Sequence, residues 1–148
     1  MAYANALSAY KETRVKTASQ GQLIIMLYDE AIRQLDHGTE LLTLNSMGKK
    51  DPGRIEKINK FILKAQEIIT ELMVSLDFDQ GGEIAKNLFS LYTWFNQELF
   101  ESNVSQDPKR VQHVRNMLNE LRGAWVEIVA KTAADGVARP ASGVNIAG

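Results

Sequence analysis

Ile55, Ile58, Ile62, Ala65, Ile69, Leu72 and Leu76 recur at alternating spacings of three and four residues. An α-helix completes a turn in about 3.6 residues, so this rhythm lays all these side chains along one face. A strand, whose faces alternate every second residue, has no use for it. Kept up over three heptads, it is the seam of a left-handed helix pair. A chain carrying such a seam must supply helices to pack against it. The rhythm returns at Val111, Val114, Leu118, Leu121, Trp125 and Ile128. Both segments open on Asp-Pro, at Asp51-Pro52 and Asp107-Pro108, where Asp caps the helix and Pro takes its first position.

Two further helices complete the set. The stretch Thr17 to Leu44 opens with Thr17-Ala18-Ser19-Gln20, a capping box with Gln20 three residues after Thr17. Leu23, Leu27, Ala31, Leu35 and Leu42 form one stripe, and Ile24, Tyr28 and Ile32 form a second about 100° round the helix. A helix that is apolar on two faces needs two things to pack against. The third helix is expected from Glu83 to Asn103, with Ile84, Leu88, Leu91, Phe95, Leu99 and Ser102 inward and Phe89, Tyr92, Trp94 and Phe100 left over. Its start follows Asp77-Phe78-Asp79-Gln80-Gly81-Gly82, read as a reversing turn. Gly48, in the turn after the first helix, serves as a left-handed stop.

Short turns make sequential helices antiparallel, so the fold class is all-α: an antiparallel up-down-up-down four-helix bundle over residues 17–131. Residues 1–16 are Ala-rich, with Leu7 and Tyr10 one turn apart, and form either a frayed end or a short N-terminal arm laid on a groove. From Thr132 the composition turns to AADGVARPASGVNIAG, without periodicity, which predicts a disordered C-terminal tail over residues 132–148.

Composition removes several functional classes. The chain has 148 residues, suiting one domain, and a formal net charge of −1 that exerts no broad pull on nucleic acid or anionic membrane. With no cysteine there is no disulfide and no thiolate chemistry. The N-terminus lacks a signal-peptide pattern, and no apolar run approaches the roughly 18 residues of a membrane span. The chain therefore reads as cytosolic, with no nucleic-acid partner and no membrane insertion. Di-iron bundles use Glu-x-x-His pairs, yet His37 follows Gln34 and His113 follows Arg110 at that distance. His37 is followed by Gly38-Thr39-Glu40, which offers no cation for phosphotransfer. No phosphate loop or activated nucleophile occurs. No enzyme activity, metal or cofactor is expected. The remaining signal is the apolar surplus, which either enlarges the core or lines a groove for partner helices or extended peptide.

Certain residues occur in a telling order. Tyr10, Val15-x-Thr17-Ala18-Ser19 and Leu23-Ile24-Ile25-Met26-Leu27-Tyr28-Asp29-x-Ala31-Ile32 come first. Ile68-Ile69-x-Glu71-Leu72, Leu76-Asp77, Gly82-Glu83-Ile84-Ala85-x-Asn87-Leu88, Leu91-Tyr92 and Leu121-Arg122-x-Ala124-Trp125 follow. Together they resemble the FliS-like flagellar export chaperones that hold flagellin. The resemblance implies a cytosolic type III export chaperone that binds the C-terminal segment of flagellin in apolar grooves, preventing premature polymerisation. It implies that the arm, through Leu7 and Tyr10, occupies part of the groove until cargo arrives. The expected partner-binding residues on the first helix are Leu23, Ile24, Leu27, Tyr28 and Ala31. On the third helix they are Asn87, Leu88, Leu91, Tyr92 and Phe95. Export-gate and flagellar regulatory proteins are further candidate partners, a helical adaptor for another secretion partner is the alternative reading, and the oligomeric state is left open. One departure is Glu30, where the family often has Gly after Leu-Tyr-Asp; it narrows backbone approach and adds charge.

Overall fold

A computed structural model describes residues 20–48 and 51–138. Four helices follow one another: α1 Gln20–Ser46, α2 Pro52–Val74, α3 Phe78–Ser105 and α4 Pro108–Ala138. Asp51, with Pro52 behind it, accepts a hydrogen bond from the Gly53 amide at 2.9 Å, and Asp107 accepts one from Lys109 at 2.9 Å. These are the caps that the two Asp-Pro pairs predict. The Thr17 end of the expected capping box, the arm with Leu7 and Tyr10, and residues 139–148 of the expected tail lie outside the described residues. The last helix runs on to Ala138, beyond the Lys131 limit expected for the bundle. The Ala-rich residues after Thr132 are good helix formers, and they continue a helix already nucleated.

The start of α3 differs from expectation. Asp77 caps a helical turn by accepting from the Asp79 and Gln80 amides, each at 3.0 Å. Gly82, at φ 51° and ψ −124°, then kinks the chain before the main helix. That conformation is open to glycine and almost closed to any residue with a Cβ. At the other end of α3, Gln106 takes the left-handed conformation, φ 56°, and its amide bonds back to the Ser102 carbonyl. The tight reversal into Asp107 and α4 is built on it.

Around the bundle the order is α1–α2–α3–α4, with α4 closing onto α1. α1 therefore has two neighbours, which accounts for its two apolar stripes: Leu27, Ala31, Leu35 and Leu42 are buried, and so are Ile24, Tyr28 and Ile32. The α2 seam is buried from Ile58 to Leu72, while Ile55 at its start is exposed. Val111, Val114 and Leu118 of α4 are buried, and Leu121 and Trp125 pack against the core from its edge. Ile128 is exposed, which the seam does not predict. Trp94 and Trp125 both lie at the core margin.

Candidate functional site: an apolar cleft at one end of the bundle

The motifs that carry the family resemblance meet inside the bundle. Tyr28 of α1 and Tyr92 of α3 are both fully buried, and their hydroxyls share a hydrogen bond across the core. The Trp125 side chain of α4 is also hydrogen-bonded to Tyr28. Burial raises the Tyr28 phenol pKa above its ordinary value, against the opposing pull of the hydrogen bonds from Tyr92 and Trp125. Tyr92 is raised as well, first by burial and then by the neighbouring Tyr28. Beside this cluster Asp29 of α1 pairs with Arg122 of α4. Leu-Tyr-Asp, Leu-Tyr and Arg-x-Ala-Trp are thus parts of one lock, joining three helices. The buried Tyr28 and Tyr92 hydroxyls satisfy each other, with Trp125 reaching Tyr28 from the core margin, so the lock specifies which faces meet without leaving an orphan hydroxyl.

The lock forms one wall of a cleft of about 380 Å³, where the start of α1, the end of α2, the start of α3 and Trp125 converge. Ile24, Leu76, Ile84, Leu88, Tyr92 and Trp125 supply its apolar lining, with Gln20, Ser75, Asp77 and Gln80 at its polar positions. Ile84, assigned to the core by periodicity, is 71% exposed. It follows the Gly82 kink by two residues. Val74, 76% exposed, is the last residue of α2. Nearby, Phe78 packs edge-on to Phe89 with ring centres 5.9 Å apart, and both rings stay exposed on their outer sides.

The expected binding residues divide between cleft and core. Ile24, Leu88 and Tyr92 line the cleft. Leu27, Tyr28, Ala31 and Phe95 are core residues, out of a partner's reach while the bundle is closed, and Leu23 is also buried. Leu91 is half-buried against the core, and Asn87 is exposed. Leu7 and Tyr10 fall outside the described residues. Ile84, Val74 and Phe78 were not among the expected residues; only the Gly-Gly turn ahead of α3 hints that the first of them overhangs. Phe89 and Phe100, surplus in the sequence, are indeed exposed.

Several ionisable groups elsewhere have structural partners. Glu30 is bonded to Arg33 at 2.6 Å and to Gln34 at 2.9 Å, within its own helix. The Arg33 hydrogen bond is the main reason the Glu30 carboxyl pKa is lowered below its usual value. His37 lies over Phe61 with ring centres 5.3 Å apart, and His113 meets Trp94 edge-on at 5.9 Å. Among the described residues no cluster of three His, Asp or Glu could hold a metal ion. No described helix is long and apolar enough to cross a membrane.

Comparison with known proteins gives this geometry a context. The family model described as "Flagellar protein FliS" matches residues 3–132. The chain belongs to the FliS family. The flagellar secretion chaperone FliS of Salmonella typhimurium is 32% identical over 121 residues, covering 81% of this chain and 84% of that one. The Bacillus subtilis FliS, of the same description, is 26% identical over 129 residues, covering 87% and 90%. FliSB of Pseudomonas aeruginosa, also a flagellar secretion chaperone, is 30% identical over 114 residues, covering 77% and 84%. The matched residues 3–132 contain both the lock and the cleft.

Proposed function

We propose that this chain is a cytoplasmic export chaperone for flagellin, holding the C-terminal segment of its cargo against the cleft end of the bundle. The observation that carries the reading is the cleft itself, with the exposed Ile84 in its apolar lining. Side chains of this kind gain most from a partner that brings its own apolar groups, at about 25 cal/mol per Å² removed from water. The names of the FliS relatives supply the secretion role. A cargo tail that folds as it binds would bury roughly 1,000–3,000 Å² and lose about 2–5 kcal/mol to ordering, which leaves holding reversible without nucleotide. No catalytic step enters this role.

Gln20, the first residue of α1, lines the cleft. On our reading the arm carrying Leu7 and Tyr10 competes with cargo there. The test is calorimetric titration of the purified chain with the C-terminal segment of its flagellin. Saturable binding with a negative heat-capacity change is expected, weakened about tenfold by Ile84→Ser, as for an interface anchor. Removal of residues 1–16 should raise affinity or leave it unchanged. Absence of binding to a well-folded bundle would replace flagellin with another secretion partner.

A further inference from the structure

A second surface lies apart from the cleft, along the outer junction of α2 and α3. Two grooves run there, of about 770 Å³ and about 380 Å³, and both are lined by Phe100. Phe100 is 60% exposed, and Val104, one turn on, is exposed beside it. Met73 lines the first groove and Ile55 the second, so the surface runs along α2 between these two residues. At 1.5 Å per residue that is about 27 Å, the length of a helix of about eighteen residues.

The charges within the two groove linings have one sign. The ionisable residues lining the two grooves are Glu98 and Glu101 in the first and Glu56 in the second, with no Lys or Arg in either lining. Glu98 is matched by Arg110 at 2.9 Å. Glu101 and Glu56 form no ion pair among the described residues, and they share Phe100 as a common neighbour, one in each groove. An apolar centre with free carboxylates on either side of it calls for an occupant with an apolar stripe and flanking cations.

We propose that the α2–α3 groove is a docking site for a basic amphipathic helix of another protein, seated on Phe100 with Lys or Arg beside Glu56 and Glu101. This site is independent of the cargo cleft and stands whether or not flagellin binds there. Two antiparallel helices present the groove, and a third helix fits it by ordinary ridge-and-groove packing at about 8–10 Å between axes. The test uses the full chain and two labelled synthetic peptides of about eighteen residues. One is a Leu/Lys amphipathic helix and the other its Leu/Glu counterpart, followed by fluorescence anisotropy. Saturable binding of the Leu/Lys peptide is expected, with Phe100→Ser or the pair Glu56→Lys and Glu101→Lys weakening it about tenfold, as for loss of an anchor. Ile84→Ser should leave it unchanged, and the Leu/Glu peptide should bind at least about tenfold more weakly. Circular dichroism melting checks each variant, with Val104→Asp as a second probe should Phe100→Ser unfold. Equal binding of the two peptides, binding that survives loss of Phe100 or of the Val104 surface, or no saturable binding overturns the proposal.

Discussion

The α1–α4 face and the α2–α3 face are built from the same kind of helix, yet one is closed and the other open. Across α1–α4, Asp36 meets Arg115 at 2.9 Å and Asp29 meets Arg122, with Tyr28 and Trp125 joined behind them. Among the described residues, the exposed large apolar groups of α1 and α4 are Leu44 near the end of α1 and Val126 and Ile128 in the C-terminal half of α4. Across α2–α3 the cross-links are uncharged: Asn103 to Asn59 at 2.5 Å, Gln66 to the Asn96 carbonyl at 3.0 Å, Asn96 to Thr70 at 3.2 Å. Around them Ile55, Leu63, Val74, Phe78, Phe89, Phe100 and Val104 stay exposed. Large apolar groups left on one side of a small protein are what a partner recognises. The comparison therefore separates the residues that hold the bundle from those that hold something else.

The largest effect that could break this division is on stability. Truncating Tyr92, fully buried in the lock, should cost about 3–5 kcal/mol in urea unfolding, whereas Phe100→Ala should stay within about 0.5 kcal/mol. Similar losses for both would mean that the α2–α3 face is not open. Next comes the hydroxyl pair. Tyr28→Phe leaves the buried Tyr92 hydroxyl without its partner and should cost about 1–3 kcal/mol, while Tyr28→Phe with Tyr92→Phe should cost less than the two single changes added together. Both phenols have raised pKa values in the fold, so the folded state holds these protons more tightly than the unfolded chain. The resulting stability is complete below the ordinary tyrosine value of 10.0 and is lost as pH rises through the folded values. Alkaline unfolding should accordingly be gentler in the double Phe variant.

Backbone geometry sharpens the comparison further. Gly82→Ala forces a side chain into φ 51° and should cost about 1–3 kcal/mol, with the turn beside the cleft disturbed. A Cβ on Gly21 would stand 2.5 Å from the Val129 Cγ2 atom, so Gly21→Ala should prise α1 from α4 at a similar cost of about 1–3 kcal/mol. Smallest of all, Arg115→Ala and Arg122→Ala remove part-exposed ion pairs and should each cost no more than about 1 kcal/mol. Arg115→Ala should not alter cargo affinity in titration, because its pair with Asp36 lies on the closed face away from the cleft.

Much of the architecture was legible because it rests on short-range rules. The seam from Ile58 to Leu72, the Asp-Pro caps and the double stripe of α1 follow from helical geometry and local hydrogen bonding. The site was less legible, because periodicity says that a residue faces a neighbour and not which neighbour it faces. Ile24, Tyr28 and Ile32 looked like a spare stripe and are the contact surface for a second helix of the same bundle. Ile84 looked like core and overhangs, because the Gly82 kink sets where the main helix begins relative to its neighbours. Motif residues are ambiguous in the same way. Tyr28, Asp29, Arg122 and Trp125 mark the family through the lock they form, while the exposed Val74, Phe78, Phe89 and Phe100 make no such motif, and of these only Phe89 and Phe100 read as surplus.

Amide hydrogen exchange of the chain, with and without the C-terminal segment of flagellin, tests this division most directly. The account predicts that cargo slows exchange in the last turns of α2 and the first turns of α3, from about Thr70 to Tyr92, and leaves the middle of α4 around Arg115 unchanged. Protection concentrated on the Asp36–Arg115 face, with none at the α2–α3 end, would contradict it.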